Sequence, residues 1–159
     1  MADELRAVTG WLDSIEARVP SGGGDAFDTI RAAVVAADGG DGLPEALVHP
    51  DPVPKNVVFT ADGPVLVDWT SAGRGPRLAS MTLVLRSGWA AAPFMKGYAR
   101  VVSLTEEERD RLSGLLFSRQ LIDLVFRVCR DPKTTVSTAK KLTALRRDSE
   151  SKARALLKT

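Results

Sequence analysis

Residues 47–69, reading LVHPDPVPKNVVFTADGPVLVDW, constrain the chain more than any other stretch. The runs Asn56 to Thr60 and Pro64 to Val67 are rich in β-branched and apolar residues, and the turn-forming Ala61-Asp62-Gly63 separates them, which predicts a β-hairpin. A hairpin of that length returns the chain antiparallel and carries Asp68 back beside Asn56. His49 and Asp51 precede it on a loop punctuated by Pro50, Pro52 and Pro54. Whatever fold the chain adopts must therefore gather four polar side chains, His49, Asp51, Asn56 and Asp68, around one end of a small hairpin.

Helical periodicity dominates on both sides. Leu5, Val8, Leu12, Ile15 and Val19 recur at three- and four-residue spacing, and Pro20 with Ser21-Gly22-Gly23-Gly24 ends that helix. A second helix is predicted from about Ala26 to Ala37, with Asp25 as N-cap and Phe27, Ile30 and Val34 on one face. A short strand at Ala46 to Val48 delivers His49. After Asp68-Trp69, residues 70–77 read as turns opening a helix from Leu78 to about Trp89, and a further helix is expected to hold Phe94, Tyr98, Val101 and Val102. Thr105 with Glu108 carries a capping-box signature for a helix running to Cys129 and stopped by Asp131-Pro132. The last helix, about Thr135 to Leu157, is basic on its polar face, which reads as a solvated surface. No internal repeat is evident. These elements predict a mainly α chain with a small β-hairpin.

Composition narrows the class. The 159 residues, 44% hydrophobic and 26% charged, suit one soluble domain spanning 1–159. A formal charge of +2 is too near neutral to argue for a nucleic-acid partner, and none is expected. The single cysteine, Cys129, excludes an internal disulfide and fits a reducing compartment. No signal peptide or bilayer-length apolar run is present, so a cytoplasmic location without membrane contact is expected.

His49-Pro50-Asp51, Pro54, Asn56 and Asp68-Trp69 resemble the signature of the aminoglycoside phosphotransferase and choline kinase-like family, roughly H-G-D-x-H-x-x-N, a hairpin, then D-W or D-F. The H-x-D-x(4)-N spacing also equals that of the protein-kinase catalytic loop. The resemblance covers about residues 1–130. It implies the C-terminal lobe of the protein kinase-like fold, with a catalytic and metal-binding segment at 47–70 and a helical remainder at 77–158. It implies that Asp51 orients the substrate hydroxyl, that Asn56 and Asp68 hold Mg2+ on ATP, and that His49 supports the loop. Lys55, where the family usually has glycine, could reach a phosphate as a point charge. Arg74 and Arg77 are expected to serve the turn. Trp69 is expected to pack beneath Asp68, and Phe94 with Tyr98 to be core.

Departures from the pattern accompany the match. Pro50 replaces the usual glycine and Val53 the usual second histidine, and no Asp or Glu lies between Asp68 and Glu106. That gap disfavours a polycationic aminoglycoside as substrate. Glu106, Glu107, Glu108 and Asp110 read as favourable charges of a helix first turn. Residues 1–48 hold no glycine-rich sheet and no lysine, so the phosphate-clamping N-terminal β lobe is expected to be missing. The chain then reads as a fragment, or as a natural half-kinase inactive alone. Its partners would be a small-molecule hydroxyl compound and either that lobe or a second copy. The alternative function is a pseudokinase-like module binding a ligand or protein without catalysis.

Overall fold

The computed structural model describes residues 1–49, 51–70, 72–87 and 91–158. Two helices come first, α1 (Ala2–Ile15) and α2 (Gly24–Val35). Leu5, Val8, Leu12 and Ile15 of α1, and Phe27, Ile30 and Val34 of α2, are buried as their spacing predicts. The α2 cap differs from expectation. Gly23 occupies the N-cap and Asp25 lies inside the first turn, where its charge favours the exposed N–H groups without bonding as a cap.

Strand β1 (Glu45–Val48) follows, then the hairpin strands β2 (Val57–Thr60) and β3 (Gly63–Leu66), and β4 (Gly73–Pro76). β2 and β3 pair antiparallel, with Val57 opposite Leu66 and Thr60 opposite Gly63. Gly63 turns the chain with φ +116°, a conformation open to glycine. The second pairing was not legible in the sequence. Gly73–Pro76, read as turns, pairs antiparallel with β1, with Glu45 opposite Pro76 and Val48 opposite Gly73. A segment rich in glycine and proline carries no strand propensity, and β1 supplies the partner from well outside any local window. The described residues thus hold a pair of two-stranded sheets rather than one hairpin.

The remaining elements are α3 (Arg77–Ser87), α4 (Ala91–Tyr98), α5 (Glu106–Arg130) and α6 (Thr135–Leu156). Trp89, expected to end α3, lies outside the described residues. α4 stops at Tyr98, so Val101 and Val102 fall in the following turn. The α5 capping box forms in both directions, with Thr105 Oγ1 accepting from Glu108 N–H and the Glu108 carboxylate accepting from Thr105 N–H.

α5, 25 residues long, is the spine. Its first half, through Leu112, Leu115 and Leu116, packs with Leu43, Leu78, Met81, Leu85, Met95 and Leu156. Its second half, through Phe117, Leu121, Val125 and Val128, packs with the apolar faces of α1 and α2 and with Leu142 of α6. The first of these cores holds α3 in place, and α3 in turn packs against β1, the strand that leads to His49. Among the described residues, no helix is long and apolar enough to cross a membrane.

Candidate functional site

β1 ends at Val48 and delivers His49, which is 4% exposed. The imidazole is held at both nitrogens. Asp51 N–H donates to Nδ1 at 3.0 Å, and Nε2 lies 2.9 Å from the Val67 carbonyl. A nitrogen that accepts an N–H cannot carry a proton, so Nε2 bears it and donates to Val67. The His49 carbonyl accepts from Ser80 Oγ of α3 at 2.8 Å, and its ring meets Trp69 edge to face at 4.8 Å. His49 therefore bridges the loop, the end of the hairpin and α3.

The loop closes on itself through a short 3-10 turn at Pro54–Asn56, where proline at the first position spares a donor. Val53 N–H donates to the Asp51 carbonyl at 2.8 Å and Asn56 N–H to the Val53 carbonyl at 2.9 Å. Asn56 is buried, and its Nδ2 donates to the Asp51 carbonyl at 2.8 Å, with the Asp51 carboxylate at 3.5 Å. Val67 N–H donates to the Asn56 carbonyl at 2.8 Å. That bond places Asp68 one residue beyond Asn56's partner.

Asp68 has φ 66°, the positive value among the described non-glycine residues. Aspartate tolerates this left-handed region better than most residues, yet the conformation still carries strain. Its carboxylate is exposed, and among the described residues no hydrogen bond or ion pair engages it.

The structure thus draws His49, Asp51, Asn56 and Asp68 to one end of the hairpin. Pro50 lies outside the described residues. Lys55, expected to reach a phosphate, makes an ion pair within the loop. Its Nζ pairs with Asp51 Oδ2 at 2.9 Å, and the hydrogen bond to Asp51, helped by the charges of Asp51 and Asp68, raises its pKa.

The donor set fits a hard divalent cation. Asn56 spends its Nδ2 on Asp51, which leaves Oδ1 as an acceptor, and Asp68 offers a carboxylate free among the described residues. Magnesium takes few protein oxygens and fills its shell with water and phosphate. No group of three or more His, Cys, Asp or Glu residues that could hold a metal ion occurs among the described residues.

Several neighbouring residues depart from their expected places. Trp69 is 45% exposed, with Nε1 donating to the Leu66 carbonyl at 2.8 Å; it packs on His49 rather than beneath Asp68. Phe94 and Tyr98 pack against the core as expected, but only half-buried; stacked on each other, they also line a cavity of about 840 Å³ together with Leu47, His49, Phe59 and Trp69. Asp51, Asn56 and Asp68 are not among its lining residues. Arg77 does not reach the loop. Its Nε and Nη2 grip the two oxygens of Glu108 at 2.6 Å each, and Glu108 is fully buried. Arg77 holds the Glu108 carboxyl below its ordinary range, against the opposing effect of burial. Arg74 pairs across the β1–β4 sheet with Glu45. Cys129 is half-buried and its thiol pKa is pushed up by burial, as expected of an unreactive cysteine.

Sequence reasoning missed Val67 and Ser80, which hold His49 through backbone and hydroxyl bonds. Neither has a signal, because one acts through its main chain and the other is an ordinary serine on a helix.

No curated protein and no solved structure shows a significant match to the chain. A family model described as the phosphotransferase enzyme family (APH) matches residues 2–115, a span that runs from α1 into the first half of α5 and contains the whole loop and hairpin. On that match, over more than half its length, the chain belongs to the APH phosphotransferase family.

Proposed function

We propose that the chain is the C-terminal lobe of a kinase-like phosphotransferase and carries the half of the centre that receives the acceptor hydroxyl. One observation supports the reading above others: Val67 takes a bond from His49 and gives one to Asn56, while Asn56 bonds Asp51. Three motif positions of the loop are thereby one hydrogen-bonded unit with the far end of the hairpin, 18 residues from His49.

In this reading Asp51 accepts the hydrogen bond of the substrate hydroxyl and sets its lone pair toward the phosphate. Asn56 Oδ1 and the Asp68 carboxylate hold Mg2+ on the phosphates of ATP. The metal, when bound, neutralises charge on the phosphoryl oxygens. His49 and Ser80 act on none of these atoms; they keep the loop in register with α3. The acceptor is a small hydroxyl compound that is not strongly cationic. Acidic residues to meet a polycation are absent between Asp68 and Glu106, and Glu108 is buried against Arg77.

The test is calorimetric titration with Mg-ATP, repeated on Asp68→Asn. Asparagine tolerates the same left-handed backbone, so the variant removes charge and keeps shape. Binding that requires both magnesium and Asp68 is the expected result. A second reading, a binding module without catalysis, draws on the 840 Å³ apolar cavity and on exposed Val58 and Val65 on the other face of the hairpin. It takes precedence if millimolar Mg-ATP produces no heat.

A further inference from the structure

The ion pair between Lys55 and Asp51 has no place in the roles above. Its geometry is specific. The main chain of Lys55 is fixed in the Pro54–Asn56 turn, while its side chain is 72% exposed and free to swing. Its ammonium rests 2.9 Å from the Asp51 carboxylate and within the electrostatic field of Asp68. It therefore occupies the carboxylate that would receive the hydroxyl, from a backbone position next to Asn56, which would hold the metal. A phosphoryl group passing from a metal-held nucleotide to a hydroxyl at Asp51 must arrive beside that ammonium. Lys55 is also the first lysine of the sequence, with none in residues 1–54.

Resting on the phosphotransferase reading, we propose that Lys55 is a partner-exchanging phosphate clamp: parked on Asp51 when the site is empty, it moves to the terminal phosphate when nucleotide binds and leaves Asp51 open to the hydroxyl. The exchange is easy because an exposed ion pair contributes little, whereas an ammonium with three donors forms strong charge-assisted bonds to a phosphate. The same contact explains why a lysine stands where a glycine would leave the space empty. It also makes the unliganded site electrically quiet, since the ammonium neutralises Asp51 until an anion competes for it.

The test compares the wild type with Lys55→Ala and Lys55→Arg, using the Mg2+ complex of adenylyl imidodiphosphate, which keeps a terminal phosphate but does not transfer it, and Mg-ADP, which lacks one. The expected result is that Lys55→Ala weakens the imidodiphosphate by about tenfold or more and leaves ADP within about twofold, while Lys55→Arg restores most of the loss. The parked state has its own readout. With lysines reductively methylated using 13C, the resonance that Lys55→Arg removes should shift on adding the imidodiphosphate, and Asp51→Asn should shift it with no nucleotide present. Equal affinities in Lys55→Ala and wild type, or equal losses for both nucleotides, overturn the clamp and leave the phosphotransferase reading standing. A wild type that binds neither nucleotide overturns both. Lys55 is exposed on a turn, so its variants should melt with the wild type, and a melting curve for each verifies that.

Discussion

Arg77→Ala should destabilise the fold far more than a surface arginine would, and the reason is its partner. Glu108 is fully buried, and its carboxylate is held by both Arg77 nitrogens and by the Thr105 N–H of its own capping box. Removing the guanidinium strands a charge in the interior between α3 and α5, a loss of about 3–5 kcal/mol for breaking one side of a buried pair. For a chain of this size that corresponds to a fall in melting temperature of roughly 6–20 °C. Glu108→Gln should cost less, about 1–2 kcal/mol, because glutamine still serves a capping box and Arg77 keeps the Ser103 carbonyl at 2.9 Å. Urea unfolding followed by circular dichroism at pH 7 and again below pH 4.5 tests the pair. The Glu108 carboxyl titrates below its ordinary 4.5 in the folded protein. Its contribution is therefore complete above pH 4.5 and is lost as the pH falls through the lower folded value. Wild type should weaken across that window, and Glu108→Gln should lack this part of the slope. An Arg77→Ala protein within about 1 kcal/mol of wild type at pH 7 would refute the argument, since a stranded buried carboxylate cannot be that cheap.

Asp68→Ala should cost about 1–2 kcal/mol through its left-handed backbone, whereas Asp68→Asn should unfold at nearly the wild-type urea concentration; equal losses would mean that the strain is not local. Gly40→Ala should destabilise by about 2–4 kcal/mol, because φ is +83° and an added Cβ would stand 2.8 Å from Pro76 Cγ. Thermal melting reads that change, and an unaltered melt would contradict the close approach of the α2–β1 loop to β4. His49→Ala should cost about 2–4 kcal/mol and speed amide exchange at Asp51, whose N–H loses its acceptor; unchanged exchange there would remove His49 from the support of the loop.

Much of the architecture follows from signals a few residues long. The i, i+3, i+4 spacing marks α1, α2, α5 and α6, the capping box at Thr105 and Glu108 starts α5, and the alternation around Ala61-Asp62-Gly63 forms the hairpin. Each depends on neighbours that the chain itself keeps close, so the linear sequence determines them. The grouping of His49, Asp51, Asn56 and Asp68 belongs here as well, because a hairpin of known length returns its last residue to its first.

The tertiary structure alone decided the rest. β4 exists because β1 lies alongside it, and Arg77 is committed to Glu108 across 31 positions of sequence. A periodicity that marks Phe94 and Tyr98 as apolar cannot tell a core wall from a cavity wall. Lys55 is the plainest case. Its sequence position suggests a free cation near phosphate, but only the folded turn places its ammonium on Asp51. Side-chain partners are chosen by distances in space, and those distances are set once α5 has drawn in α3, and α3 the strand β1 that leads into the loop.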